Sequence, residues 1–325
     1  MGDAQTLISA GAAALIVSSI ALPITLRLLR KRNLVDVPTD RSLHTGATPR
    51  GAGMALALGV AAALAVSGTT LWALWLAPLG LAALGAWDDI RRRPALLRLT
   101  IQVLIAAIAA AGLASALGGG PVLALVGTLL IVATVNATNF MDGINGITAL
   151  QADVWGSAYA VMLTRIDQTA VVPLAVALAV VGAAFLPWNM PIARMFLGDS
   201  GSYLIGGIAG LLSLTLLMAH EPLAALCPLA TYAADTGSAI MRRMGQRENL
   251  TQAHRTHVFQ QLVANGWSHT STALVTTAVT ALSAAIGVVS LGRSTATQVL
   301  ILATVVVINT GYLLLPRIAH PVGVR

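Results

Sequence analysis

Of the twelve carboxylates in this sequence, nine gather at the ends of long apolar stretches: Asp36, Asp40, Asp88, Asp89, Asp142, Asp153, Asp199, Asp235 and Glu248. Carboxylates placed there are costly unless they are paired or bind a cation, which makes them the first candidates for chemistry. Asp88-Asp89 runs straight into Arg91-Arg92-Arg93. Two adjacent carboxylates ionise together only with a cation beside them. The pair reads either as a loop start salt-bridged to the arginines or as a site for Mg²⁺ or proton transfer. The densest polar cluster spans Asn136, Asn139, Asp142, Gly143, Asn145 and Gly146. Its i, i+3, i+6 spacing puts Asn136, Asn139 and Asp142 near one helix face, and the two glycines let the backbone approach a ligand. Phe196-Leu-Gly-Asp199-Ser-Gly precedes another apolar stretch. Asp199 reads there as an N-cap, or as a Mg²⁺ ligand beside a helix N-terminus that cradles phosphate. His254-Arg255-Thr-His257 follows Arg242, Arg243 and Arg247. It lacks the further ligands of a zinc site but suits a diphosphate.

The elements that position these residues follow from composition. The chain of 325 residues is 57% hydrophobic and 10% charged, against about 25% charged for a soluble domain. Eleven apolar stretches are near the length of a membrane-crossing helix: about 5–26, 51–68, 70–86, 99–117, 121–137, 147–164, 169–187, 201–219, 222–240, 270–291 and 295–315. The expected fold is all-α, a polytopic membrane helix bundle of about 11 transmembrane helices forming a single domain over 1–325. If the connections alternate sides, seventeen of the nineteen Lys and Arg residues fall on one side, and only Arg165 and Arg293 on the other. That asymmetry makes the cation-rich side cytoplasmic, with the N-terminus outside and the C-terminus inside. The net charge of +7 is thereby accounted for by topology, and no nucleic-acid partner is implied. The lone Cys227 reads as a small core hydrophobe. A secondary transporter would carry its ionisable groups near mid-helix, whereas these cluster at one face. Clustered Asp, a Gly/Asn loop, a helix N-terminus and a His/Arg loop fit Mg²⁺-assisted phosphoryl transfer.

These motifs, in this order, resemble those of the polyprenyl-phosphate N-acetylhexosamine-1-phosphate transferases, a superfamily that includes the phospho-MurNAc-pentapeptide translocase. The resemblance runs from about residue 33 to 270. Asp36-Val-Pro through Arg41-Ser-Leu-His44, with Thr48-Pro-Arg50-Gly, is similar to the family's first cytoplasmic loop. Asp88-Asp89 matches its aspartate pair, Asn136 to Gly146 its Asn/Asp-Gly loop, and Asn189 with Phe196-Leu-Gly-Asp199 its uracil and Mg²⁺ segment. His254-Arg-Thr-His257 with Gly266-Trp-Ser-His269 matches the histidine loop. The pattern looks closest to the branch initiating O-antigen-type glycans. Asn145 stands where many relatives have a second Asp, and the translocase's three consecutive histidines and first-loop lysine are absent, with Arg50 in a position to serve for the latter.

The resemblance implies transfer of HexNAc-1-phosphate from UDP-HexNAc, with GlcNAc or a 6-deoxy-HexNAc as the sugar, to polyprenyl phosphate, releasing UMP. It implies Mg²⁺, or Mn²⁺, held by Asp199 with Asp88 and Asp89. Asp88 would be the acceptor's base or a second charge anchor. Phe196 would stack on uracil, Asn139, Asp142 and Asn189 would reach the nucleoside beside Asn145, and Arg50, His254, Arg255 and His257 would meet the diphosphate or sugar. The expected setting is the cell (inner) membrane with a cytoplasmic active site, and small residues would permit a homodimer. The competing readings are a transporter with a cytoplasmic vestibule and an inactive nucleotide-sugar-binding scaffold.

Overall fold

Every one of the eleven apolar stretches falls on helical structure in a computed structural model, which describes residues 2–36, 46–245 and 256–319. The order begins with α1 (Gly2–Lys31), a two-stranded antiparallel ribbon of β1 (Val35–Asp36) and β2 (Thr48–Pro49), then α2 (Gly53–Ser67) and α3 (Ala73–Ile90). It continues with α4 (Ala95–Leu117), α5 (Gly120–Met141), α6 (Ile147–Arg165), α7 (Val172–Asn189) and α8 (Gly198–Met218). After α9 (Pro222–Leu226), a 3₁₀ turn at Cys227–Leu229 leads into α10 (Ala230–Gly245). Then come α11 (Val258–Ala264), α12 (His269–Ser290) and α13 (Thr295–Ile318). The predicted stretch 222–240 is thus three pieces. Pro228 has no N–H to give and its ring crowds the preceding turn, which interrupts the helix there.

Among the described residues, seven helices are long and apolar enough to cross a membrane: α1, α4, α5, α7, α8, α12 and α13. Among the remaining stretches, α2 is apolar but only 15 residues long. Large apolar side chains on the outer helices, such as Ile16, Leu104, Leu125 and Val307, face outward, as helices in contact with lipid require.

At the centre stands α8, buried without a break from Gly198 to Leu216. It is surrounded by α2, α3 and α5, and glycines set how near they come. A Cβ on Gly206 would lie 2.7 Å from the Thr134 carbonyl of α5, and one on Gly53 would lie 2.0 Å from the Gly201 nitrogen. Small residues permit such backbone contact where lipid supplies no hydrophobic drive between helices. The consequence for the site is that the first turn of α8 is locked against the ends of α2, α3 and α5.

Candidate active site

The first turn of α8 collects side chains from four segments. Gly198 adopts φ +76° to start the helix, and a Cβ there would come 2.6 Å from Asp89 Oδ2. Asp199 lies inside this first turn and is not the N-cap that its sequence position allowed. The capping carboxylate comes from α3: Asp89 Oδ1 accepts the Asp199 N–H (2.9 Å) and Oδ2 the Ser200 N–H (3.0 Å). An anion at a helix N-terminus satisfies orphan donors and the dipole together. Those two amides, which the sequence offers as part of a phosphate cradle, are therefore occupied by the protein's own carboxylate.

Arg50 arrives on the chain leaving β2, where it bridges to Phe196. Its Nε lies 3.1 Å from Asp89 Oδ1 and its Nη2 donates to Asp199 Oδ1. Burial opposes the charge of this guanidinium, but Asp199 and Asp89 outweigh it and hold the pKa above the ordinary range. From α5, Asn139 Nδ2 donates to the same Asp199 oxygen at 2.9 Å and to Ser202 Oγ at 3.0 Å. Asp88 faces Asp199 from the end of α3, its carboxyl in contact with that of Asp199. Asp88 Oδ2 accepts from Arg98 Nη1 (2.8 Å) and Oδ1 accepts the Arg93 N–H (2.6 Å). Arg98 Nη1 also stands 3.6 Å from Asp199 Oδ2.

Two polar cavities open on either side of this cluster. One, of about 290 Å³, is lined by Asp142, Asn145, Asn189, Phe196, Gln260 and His269 together with the cluster's Arg50, Asn139 and Asp199. Asp36 also reaches it. The other, of about 300 Å³, is lined by Asp88, Asp89, Arg92, Arg93 and Arg98 and again by Arg50, Asn139 and Asp199. Three residues are common to both. They form the partition, and any group passing between the cavities meets them.

The remaining sequence candidates divide by what their side chains do. Asp142 closes α5 and is half-buried. Burial pushes its pKa up to about 6, with Asp199 and Asp89 adding to the rise and Arg50 opposing it. Asn189 braces the cavity wall: its Oδ1 accepts the Gly146 N–H (2.6 Å) and its Nδ2 donates to the Met195 carbonyl (3.1 Å). Asn145 donates through Nδ2 to the Pro191 carbonyl at 3.0 Å. Asn136 points elsewhere, its Nδ2 donating to Gln102 Oε1 of α4 (2.8 Å), so Asn136 and Asn139 do not share the site. His257 is only 3% exposed and lines neither cavity. Its Nδ1 lies 3.0 Å from Oδ1 of the fully buried Asp235, which also accepts the Tyr312 hydroxyl (3.0 Å) and the Val258 N–H. A buried carboxylate needs such partners, and that need draws the imidazole away from the cavities. His254 and Arg255 lie outside the described residues.

Residues the sequence left unassigned also enter the site. Arg98, expected from the sequence as a cation of the cation-rich side that with Arg91–Arg93 could attract the acceptor phosphate, holds Asp88. Gln260, one of two adjacent glutamines on the short α11, carried no signal in the sequence, and His269 was visible only as part of the Gly-Trp-Ser-His segment.

Among the described residues no three His, Cys, Asp or Glu side chains converge as a metal-ligating group. The partition nonetheless suits Mg²⁺, which takes one or two carboxylates and completes its shell with phosphate oxygens and water. Asp88 and Asp199 offer hard oxygens side by side. Asp88, Asp89 and Asp199 form ion pairs with Arg50 and Arg98.

Fold and site together define a polytopic helical membrane protein with a buried Asp–Arg cluster between two polar cavities. Residues 71–217, from the approach to α3 through almost all of α8, match glycosyl transferase family 4. A Bacillus subtilis protein named probable undecaprenyl-phosphate N-acetylglucosaminyl 1-phosphate transferase is 29% identical, covering 79% of this chain and 77% of its own length. The Yersinia pestis undecaprenyl-phosphate alpha-N-acetylglucosaminyl 1-phosphate transferase is 29% identical over 80% and 77%. A phospho-N-acetylmuramoyl-pentapeptide-transferase of Deinococcus radiodurans is 31% identical over 65% of this chain and 72% of its own. The chain belongs to glycosyl transferase family 4.

Proposed function

We propose that this protein is a phosphoglycosyltransferase that moves HexNAc-1-phosphate from UDP-HexNAc to polyprenyl phosphate. The observation that carries this reading is the pair of polar cavities sharing Asp199, Arg50 and Asn139. A water-soluble donor fits the cavity lined by Asn, Asp142 and Phe196, and an anionic acceptor fits the one lined by Arg92, Arg93 and Arg98. The names of the relatives support the same pairing of substrates.

In the reaction, an oxygen of the acceptor phosphate bonds to the sugar-side phosphorus of the donor. The bond from that phosphorus to the bridging oxygen breaks, and UMP leaves with the bridging oxygen. Arg50 and Asn139 sit at the partition to hold the donor diphosphate. Arg98, with Arg92 and Arg93, draws the acceptor phosphate to the other side by charge. Asp88 accepts from Arg98 and the Arg93 N–H, but it lines the acceptor cavity while facing Asp199, and we assign it as the base for an acceptor proton or as a second charge anchor for the acceptor phosphate. Asp199 and Asp88 would hold Mg²⁺, which when bound neutralises charge on the diphosphate. Phe196 offers a ring for uracil, and Asp142 an acceptor for a donor N–H or O–H.

This reading places α2, α3, α6 and the α9–α10 segment as further membrane-crossing or membrane-embedded helices. The cation asymmetry of the connections supports a cytoplasmic site in the cell membrane, with the N-terminus outside. The His-x-x-His and Thr-Pro-Arg-Gly segments favour an initiating role in O-antigen-type glycans. The test is UMP release by purified protein in detergent, with Mg²⁺ or EDTA and a panel of UDP-HexNAc donors. UMP formation that needs donor, polyprenyl phosphate and Mg²⁺ together supports the reading. Donor binding without UMP, or transport without it, discards it.

A further inference from the structure

A third cavity, of about 250 Å³, lies between α1, α2 and α3. One side of it is apolar, formed by Leu28, Leu29, Met54 and Ile90. Three of these, Leu28, Met54 and Ile90, are exposed, so the cavity opens on the surface where the helices meet lipid. Its other side is polar, formed by Arg50, Asp89 and Ser200. Arg32, exposed just past the end of α1, completes the lining. Asp88, Arg98 and Asp199 do not line it. It is therefore separate from the two polar cavities and touches the partition only through Arg50 and Asp89.

Two observations say what this cavity takes. Ser200 is fully buried, and its Oγ has no hydrogen-bond partner, although its backbone N–H is held by Asp89. A buried hydroxyl left unpaired is costly, and a ligand oxygen in the cavity would satisfy it. The second observation is the gradient along α1. From Arg32 back to Thr25, about 10 Å at 1.5 Å per residue, the wall passes from a guanidinium to Leu28 and Leu29. Charge at the helix end and apolar surface along the membrane-crossing part match a lipid standing in the same leaflet. Arg27, Arg30 and Lys31 are exposed at that end of α1, and each such cation favours an anionic headgroup by about 1 kcal/mol. A phosphate at Arg32, an ester oxygen accepting from Ser200 and an acyl chain along Leu28 and Met54 describe a glycerophospholipid. A polyprenyl phosphate carries hydrocarbon where the ester stands and would leave Ser200 unpaired. We propose that this cavity binds one anionic glycerophospholipid, which covers the lipid-facing side of the Arg50–Asp89 pair and so steadies the cap of α8. The site goes beyond the transferase reading and does not depend on it.

The experiment titrates the full-length protein in neutral detergent with short-chain phosphatidylglycerol, phosphatidylcholine or inorganic phosphate and follows thermal unfolding. The proteins are wild type, Arg32→Gln, Ser200→Ala and Leu28→Trp. Phosphatidylglycerol raises the wild-type melting temperature saturably, phosphatidylcholine needs about tenfold more lipid, and inorganic phosphate has no effect. Arg32→Gln raises the half-saturating phosphatidylglycerol about tenfold, and Ser200→Ala raises it severalfold. Leu28→Trp, whose indole occupies the opening, abolishes the saturable rise. Melting without lipid stays at the wild-type value in all three, because Arg32 and Leu28 are exposed and the Ser200 hydroxyl makes no bond to lose. Equal responses to the two lipids overturn the proposal, as does a phosphatidylglycerol response that survives both Arg32→Gln and Leu28→Trp. An acceptor KM that rises in Leu28→Trp, measured by UMP release, gives the cavity to the prenyl chain and overturns it too. Wild-type protein that releases no UMP would remove the transferase reading alone, since the melting titration decides the lipid site without it.

Discussion

Replacing Asp89 separates two roles that adjacent aspartates invite. As a metal ligand or base, Asp89 would be intolerant even of Asn. As the cap of α8, it matters through two backbone amides and Arg50. Asp89→Ala strands the N–H groups of Asp199 and Ser200 beside a side chain only 6% exposed. A buried donor left unpaired costs about 1–3 kcal/mol, and breaking the Arg50 pair adds to this, so the expected loss is about 3–5 kcal/mol. Asp89→Asn keeps one accepting oxygen and the shape, for a loss of about 2 kcal/mol. At roughly 2 °C per kcal/mol for a chain of this size, the Ala variant melts about 6–10 °C lower and the Asn variant about 4 °C lower. The assay pairs thermal unfolding in detergent with UMP release. Asp89→Asn is expected to keep kcat within about tenfold, whereas Asp199→Asn loses about a hundredfold or more. An Asp89→Asn protein with wild-type melting and the inactivity of Asp199→Asn would refute the capping argument and return Asp89 to the reacting groups.

Other consequences follow from the same geometry. Asp142, with its pKa pushed up to about 6, gains a proton as pH falls through 6, so donor KM rises on that limb and Asp142→Asn flattens it. In the folded protein the raised pKa disfavours the ionised form, so its contribution to stability is full below the ordinary carboxylate range and is lost as pH climbs through about 6. Arg98→Ala removes the partner of Asp88 and is expected to raise acceptor KM about tenfold or more with donor KM little changed. Asp235→Ala leaves Val258 N–H, Tyr312 and His257 without their shared acceptor and is expected to destabilise by about 3–5 kcal/mol. Tyr312→Phe costs about 1 kcal/mol, and thermal melting checks both.

Much of this arrangement was legible in the sequence. Runs of Ala, Leu and Val state their own helices, and every predicted stretch is helical because a backbone among apolar side chains must bond to itself. The pairing of Asp88, Asp142, Asn139 and Asp199 around one centre was readable as well, because each ends or begins an apolar stretch on the same side. What spacing could not supply was the partner of each group. Asp88 and Asp89 are neighbours in sequence, but a helix turns them apart: one faces Arg98 and the other the amides of α8. Asn136 and Asn139 differ in the same way, one reaching α4 and the other α8. His257 had the residue type and loop of a site histidine. Only the distant Asp235 and Tyr312, far from it in sequence, explain why it is buried in a structural network.

The central claim is that the sugar-side phosphate of the donor crosses the partition at Asp199 to the lipid. A UDP-HexNAc labelled with ³²P in one phosphate at a time tests it directly, with polyprenyl phosphate, Mg²⁺ and the wild-type or Asp199→Ala protein. The account predicts that the sugar-side label moves to the organic phase and the uridine-side label stays in aqueous UMP. Both transfers require acceptor, and both are lost in Asp199→Ala. Sugar-side label that remains in water while UMP forms, or label from both phosphates reaching the lipid, would contradict it.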